Sequence, residues 1–284
     1  MFAFFANMFG YILNFIYEIV QNYGLAIIIF TIIIKLAMLP MTIKQQKTLE
    51  KSKKLQEKMK ELQFKYKNNP EMLNKETMAL YKSENMSPFS GCFSSIIQLI
   101  LLLSVFFLVQ SPLTYMRKVE PTIIEDYKTQ LQQQGTESNS IKYPEIRIIQ
   151  ENGAKDERVY INMEFLGLDL SLVPISDMTD YRVYIIPALY VISSIVSMRL
   201  TANIKKKKKE EGKEETNEMD ALAEANKNMM YIMPVMSVSI SLIAPLGLAL
   251  YWLVNNLLII IEKILMNKFL QLGGEDNGIN ANRF

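Results

Sequence analysis

Long apolar segments alternate with densely charged ones along this chain of 284 residues, and that segregation restricts the fold more than any other feature. A membrane-spanning helix needs about 20 mostly apolar residues. The continuous apolar region 229–267 is too long for one span, and Pro245 followed by Gly247 predicts a tight turn within it. Five spans result: 23–41, 91–110, 184–200, 229–244 and 245–267. The sequence therefore predicts an all-α integral membrane protein with five transmembrane helices.

The distribution of basic residues predicts the orientation of these spans, because loops rich in Lys and Arg stay in the cytoplasm. Residues 1–34 contain neither Lys nor Arg, whereas 44–88 carry 11 lysines against six acids. The segment 111–182 has eight basic residues against 12 acidic ones. We expect an N-terminus outside and a C-terminus inside. The connecting segments are then a cytoplasmic hairpin (42–90), an extracytoplasmic loop (111–183), a charged cytoplasmic loop (201–228) and a cytoplasmic tail (268–284).

The first 22 residues are apolar and aromatic but lack the positively charged start of a signal peptide. We expect them to form a helix that lies in the outer membrane interface. Whether a signal or lipid anchor upstream of Met1 was removed is left open.

Between the first two spans, the spacing of apolar residues predicts two helices separated by Asn68-Asn69-Pro70. Such a pattern is typical of an antiparallel helical hairpin, with Leu62, Tyr66 and Pro70 near its tip. A solvated linker is the simpler alternative. The extracytoplasmic loop mixes short β-prone runs with turn residues, and it offers no recognisable chemistry.

Composition excludes several classes of function. With no histidine and one cysteine, Cys92, the chain cannot build a catalytic triad, a His-ligated metal site or a disulfide framework. It has no P-loop pattern, and its net charge of +2 gives no reason to expect DNA as a partner. We therefore expect a protein that is not an enzyme and that needs no cofactor and no metal.

Every predicted span carries polar residues in its inner half or near the midplane. Depths follow from the rise of about 1.5 Å per helical residue. Together these residues predict a hydrated groove that opens to the cytoplasm. The groove residues are Lys35, Gln98, Ser193, Ser197, Ser237, Asn255 and Asn256.

Lys35 is the charge placed most clearly inside a span, where a lysine costs about 2.5–3.5 kcal/mol on insertion scales. It can snorkel to the interface or pair with Glu262, the only acid within the predicted spans. The third alternative, which we favour, leaves its charge uncompensated in the hydrated groove. Such a charge would attract an acidic segment of a passing polypeptide.

Three stretches resemble the YidC/Oxa family of membrane protein insertases, in particular its short, Gram-positive-type members. They are Lys35 before a Leu39-Pro40 turn, the KNNPEMLNKE break with NMSPFSGC leading to Gln98, and GLALYWLVNNLLIIIEK in the last span. By this resemblance Lys35 stands where the family usually has arginine, and Trp252 joins the groove. Lysine keeps the charge but lacks the planar fork of arginine, which suits a diffuse attraction.

The resemblance implies an insertase of the bacterial cell membrane that passes nascent membrane proteins from the cytoplasm into lipid without nucleotide hydrolysis. It also implies the ribosome and the Sec translocon as partners. Two alternatives remain: a small-solute transporter or channel component using the same cavity, and a structural membrane protein in which Lys35 only snorkels. The lysine run 205–209 is either a topology signal or a contact for ribosomal RNA or anionic lipid.

Overall fold

A computed structural model describes residues 2–84, 90–133, 142–209 and 238–280 of the chain. Within these ranges the protein is mostly helical. The α-helices with defined bounds are α1 (Phe2–Val20), α2 (Tyr23–Lys65), α3 (Pro70–Ser83), α4 (Ser90–Gln110), α5 (Pro121–Gln133), α6 (Pro144–Asn152), α7 (Ile185–Lys209) and α8 (Leu246–Asn280). Residues 238–243 are also helical and lead into α8.

Four helical segments are long and apolar enough to cross a membrane: Phe2–Val20, Tyr23–Gln45, Tyr181–Leu200 and Leu246–Met266. The described apolar part of α4, Leu99–Gln110, is shorter than these four segments. Most of the predicted fourth span lies outside the described residues, including Ser237. The chain is thus a mostly helical, multi-pass membrane protein, and the number of five spans stays a prediction.

Helix α2 continues through Pro40 without interruption, so the turn expected at Leu39-Pro40 was wrong. Proline removes one helical hydrogen bond and crowds the preceding turn. Membrane-spanning helices nevertheless tolerate it, since neighbouring groups satisfy the freed carbonyl. One rigid element of 43 residues therefore joins the first span to the hairpin.

The predicted break at Asn68-Asn69-Pro70 is confirmed. The Asn69 side chain accepts a hydrogen bond from the Met72 backbone N–H at 3.1 Å, and Pro70 occupies the first turn of α3. This is a regular helix N-cap followed by the residue best suited to the first helical position. Helix α3 packs on the second half of α2, and Lys58 pairs with Glu84 across the hairpin.

Helix α1 packs against α4 and against the residues that directly follow α4. Asn7 accepts a hydrogen bond from Lys118, and Glu18, eleven residues further along α1, pairs with Arg117. Between them, Gly10 lies directly against the backbone of Tyr115, where a Cβ would be 1.8 Å from the carbonyl oxygen. Both ends of α1 therefore contact residues just beyond the last turn of α4.

The segment between α4 and α7 is a folded layer, whereas the sequence indicated only β-prone runs and turns. It contains a π-helical turn (Leu113–Arg117), α5, α6, a 3-10 turn (Tyr181–Tyr184) and one short antiparallel pair, β1 (Glu164–Phe165) with β2 (Leu168–Asp169). Its apolar side chains are buried in a core continuous with that of the spans: Ile124, Leu131, Ile146, Ile149, Val159, Ile161, Met163 and Leu170. We call this layer the outer layer, after the side of the membrane on which the sequence predicts it to lie.

The outer layer supplies hydrogen bonds to the first turns of two long helices. At α8, the backbone N–H groups of Leu246 and Gly247 donate to the carbonyls of Leu172 and Leu170, both at 2.9 Å. At α2, Tyr23 N–H donates to the Asn162 carbonyl at 3.0 Å. The first N–H groups of a helix have no partner within it, so these contacts satisfy donors that lipid could not.

Candidate functional site

Helices α2 and α7 both pack against α8, and all three helices run in the same direction. The aromatic rings of Tyr190 on α7 and Trp252 on α8 have centroids 6.3 Å apart. On the other side of α8, Gly247 lies against Tyr23 at the start of α2. The three helices are therefore parallel. Residues at the same distance in sequence after these contacts lie at a similar height along the helix axes.

The first polar contact is between α7 and α8. The Asn256 side-chain amide donates to Ser193 Oγ at 2.9 Å, and Ser194 Oγ lies 3.3 Å from the same nitrogen. Ser193 in turn donates to the Tyr190 carbonyl at 2.8 Å. Both serines are buried. Here the predicted groove residues Ser193 and Asn256 meet, as a helix–helix hydrogen bond between packed helices.

The second polar contact lies about two helical turns further along α8, or roughly 10 Å. Lys35 Nζ on α2 lies 3.4 Å from Glu262 Oε2. The next residue, Lys263, donates to Ser197 Oγ on α7 at 3.2 Å. Successive residues of α8 therefore contact opposite neighbours, and a charged cluster joins all three helices.

The favoured expectation of an uncompensated Lys35 was wrong. Its ammonium group pairs with Glu262, the alternative that the sequence also allowed. The pairing is incomplete, since the second carboxylate oxygen, Glu262 Oε1, is buried and has no hydrogen-bond partner among the described residues. With Lys263 nearby, the cluster contains two formal positive charges and one negative charge. Its net charge thus stays positive despite the ion pair.

The remaining predicted groove residues are distributed unevenly. Trp252 is buried against Tyr190, and Asn255 is half-buried one position before Asn256. Gln98 belongs to α4, but its side chain falls outside the described part of the structure, as does all of Ser237. The structure thus places Ser193 and Asn256 in one polar contact beside Trp252. Lys35 and Ser197 lie further along, where they contact successive residues of α8 from different sides.

The faces of these helices that point away from the cluster are apolar and exposed. They include Leu36 on α2, Ile192 on α7, and Leu257 and Ile261 on α8. In a membrane protein such faces contact lipid chains.

Sequence reasoning missed Lys263 in the charged cluster, and it missed Ser194 and Tyr190 at the contact between α7 and α8. A signal was available, because residues 252, 256 and 263 recur at helical spacing on one face, as do residues 190, 193 and 197. Two helices that each carry such a face are expected to pack against each other through these faces. What the sequence could not supply was which helices are neighbours.

The site contains no group suited to metal binding within the described ranges, where no three Cys, Asp or Glu side chains come together. Its chemistry is that of charge and hydrogen bonding. It can attract or release a carboxylate, and it can hold three helices together. In class, the fold defines a multi-pass helical membrane protein, and the site is a charged cluster with a net positive charge that joins three of its long helices.

Comparison with known proteins identifies the particular family. Residues 15–273 match the family described as 60Kd inner membrane protein, and the chain belongs to it. The resemblance to the YidC/Oxa family is thereby confirmed.

Several relatives of the chain carry the name membrane protein insertase YidC. The one from Fusobacterium nucleatum is 27% identical over 91% of this chain and 93% of its own length. The one from Geobacter metallireducens is 28% identical over 94% of this chain, which corresponds to 37% of that longer protein. The one from Caldanaerobacter subterraneus is 37% identical over 36% of this chain and 50% of its own length.

Proposed function

We propose that the protein is a membrane protein insertase of the bacterial cell membrane. It would accept nascent membrane proteins from the cytoplasm and release them sideways into the lipid bilayer, without nucleotide hydrolysis. The observation that carries the proposal is the charged cluster of Lys35, Glu262 and Lys263, which lies between three parallel apolar helices. The names of the relatives support the same function.

The positive charge of the cluster would draw in the acidic outer tail of a client. A charge inside a span is costly, and proteins retain it where it faces water or a partner. Lys35 keeps 22% of its side chain accessible, so its ammonium group can still be approached. Water that solvates this region would shorten the apolar distance that the tail must cross. The tail would then leave toward the outer side while the apolar segment of the client enters lipid.

The hairpin of α2 and α3 would receive the client or the machinery that delivers it. Its tip exposes Phe64, with 86% of the residue accessible, beside the half-exposed Leu62 and Tyr66. Because α2 is continuous, the hairpin is joined rigidly to the span that bears Lys35. The ribosome and the Sec translocon remain proposed partners on this side.

The transporter or channel alternative would need a path through the outer half of the protein. Instead, residues of the outer layer bind the first turns of α2 and α8. The core formed by the outer layer and the spans is apolar and continuous. These contacts support a groove that opens on one side.

Substitution of Lys35 tests the proposal. Purified protein is reconstituted into vesicles, and the insertion of a single-span client with an acidic outer tail is measured by protease protection. We expect Lys35→Ala to reduce insertion about tenfold, the effect of losing roughly 1.4 kcal/mol of attraction. Lys35→Arg keeps the charge and should retain insertion.

Lys155→Ala serves as the matched control, since it removes an exposed lysine from the outer layer. Equal insertion by the wild type, Lys35→Ala and Lys155→Ala would contradict the role of Lys35. Insertion by the wild type no better than by protein-free vesicles would contradict the insertase function itself.

A further inference from the structure

Within the proposed insertase function, we infer that Glu262 is a built-in competitor for the carboxylates of client proteins and sets how many acidic residues a client needs. It occupies the position on Lys35 that a client carboxylate would take. The inference rests on the geometry of the Lys35–Glu262 pair and on the charges around it.

The geometry of the pair would allow another carboxylate to replace Glu262 at Lys35. Charge-assisted N–H···O bonds are usually about 2.7–2.9 Å long, whereas Lys35 Nζ and Glu262 Oε2 are 3.4 Å apart. One oxygen of the carboxylate has this long contact, and Oε1 has no hydrogen-bond partner among the described residues. A carboxylate so poorly satisfied stabilises its partner less than a well-bonded one does.

Accessibility is unequal within the pair. The Lys35 side chain is 22% exposed and the Glu262 side chain 10%, so the lysine is the more accessible member. A second carboxylate can therefore approach Lys35 without first displacing the Glu262 side chain. Lys263 lies close enough to interact electrostatically with both charges, and it would offset part of the cost of a second carboxylate.

Competition of this kind has a defined consequence for selectivity. A tail without acids gains nothing from displacing Glu262. A tail with one acid exchanges one carboxylate for another, with a small net gain. A tail with two acids can bind Lys35 and also interact with Lys263. Glu262 would thus make the groove selective for the more acidic tails.

Removal of the competitor tests the inference. A single-span client carries zero, one or two aspartates in its outer tail and a photoreactive group beside them, and its crosslinking to the reconstituted full-length protein is measured. We expect Glu262→Gln to raise the yield for the one-aspartate client about three- to tenfold. The yield for the client without aspartate should stay unchanged.

The double variant Lys35→Ala/Glu262→Gln provides a second test. In Lys35→Ala the half-buried Glu262 loses its partner and repels acidic tails, so part of that defect comes from Glu262 itself. The double variant should therefore crosslink the two-aspartate client several-fold better than Lys35→Ala does. Glu151→Gln, which removes the carboxylate of the Arg147–Glu151 pair in the outer layer, is the matched control and should behave as wild type.

Each outcome has one meaning. The competitor role is overturned if Glu262→Gln leaves the one-aspartate yield unchanged, if it raises all three clients equally, or if the double variant matches Lys35→Ala. The insertase proposal survives those results as long as the wild type still captures and inserts acidic clients. It fails only if the wild type captures no client above the background of protein-free vesicles.

Discussion

Glu145 is the most deeply buried charged residue in the described part of the chain, with 5% of the residue exposed. Its carboxylate accepts hydrogen bonds from the Thr114 hydroxyl at 2.6 Å and from the Thr114 backbone N–H at 3.0 Å. These bonds attach α6 to the π-helical turn beyond α4. Burial raises the pKa of Glu145, while the bonds from Thr114 and the backbone of Leu113 oppose that shift.

The raised pKa of Glu145 predicts a pH dependence of stability. The folded state holds the proton more tightly than the unfolded state, so the free energy of unfolding falls as pH rises from the ordinary value of a glutamate through the folded pKa. The resulting penalty is complete above the folded pKa and absent below the unfolded one. Glu145→Gln should abolish this component of the dependence, as measured by thermal unfolding in detergent between acidic and neutral pH.

Glu145→Ala is the informative contrast, because it leaves the Thr114 N–H without its acceptor. We expect a loss of about 1–3 kcal/mol in the free energy of unfolding. The depressed pKa of Asp156, caused mainly by hydrogen bonds from Arg158, acts in the opposite direction and at lower pH. A pH profile that is identical in wild type and Glu145→Gln would show that Glu145 does not titrate in this range.

At the same scale, Lys35 illustrates what a sequence contains and what it lacks. Its depth within the predicted span follows from counting residues along a helix. Its partner is 227 residues away, and the contact depends on how α2 and α8 are rotated about their axes. Helix rotation is decided by packing of apolar side chains, which a single sequence does not specify.

At the scale of elements, α1 depends on a close approach to the chain beyond α4. Gly10 lies against the Tyr115 carbonyl, and a Cβ there would be 1.8 Å from that oxygen. The backbone at Tyr115 cannot move away from an added methyl group as readily as a flexible side chain could. Gly10→Ala should therefore detach or shift α1, although alanine is the better helix former by about 1 kcal/mol.

Thermal unfolding and limited proteolysis measure this effect. We expect Gly10→Ala to lower the free energy of unfolding by about 1–3 kcal/mol, the usual cost of overpacking. Met8→Ala, two residues away on the exposed side of the same helix, is the control and should change it little. A Gly10→Ala protein as stable and as protease-resistant as wild type would refute the contact.

The elements also differ in how readily they are predicted. The hairpin break was predictable because Asn69 and Pro70 have specific roles at a helix start. Helices α5 and α6 were missed although each begins with proline, at Pro121 and Pro144, which is a recognised start signal. Short helices in a polar loop have weak periodicity, and they form here because their apolar side chains reach the core of the spans.

At the scale of the whole molecule, the orientation and the position of α1 can be tested together. In a Cys92→Ser background, single cysteines replace the exposed residues Ala3, Lys60 and Ala154. A membrane-impermeant thiol reagent is added to intact cells. We expect labelling at positions 3 and 154, because α1 and the outer layer are proposed to lie outside, and protection at position 60.

Permeabilised cells supply the control, since all three positions should then react. Labelling of position 60 in intact cells would reverse the proposed orientation. Protection of position 3 alone would mean that α1 crosses the membrane, as its length and composition also permit.

The contacts between the outer layer and the first turns of α2 and α8 also constrain the order in which the protein itself assembles. The Asn22 side chain, at the start of α2, donates to the Glu164 carbonyl, 142 residues later in the chain. The first turn of α2 can therefore gain this hydrogen bond only after the segment between α4 and α7 has been synthesised. Contacts so distant in sequence form late. The start of α2 is thus among the last parts of the fold to gain all of its hydrogen bonds, although it lies near the beginning of the chain.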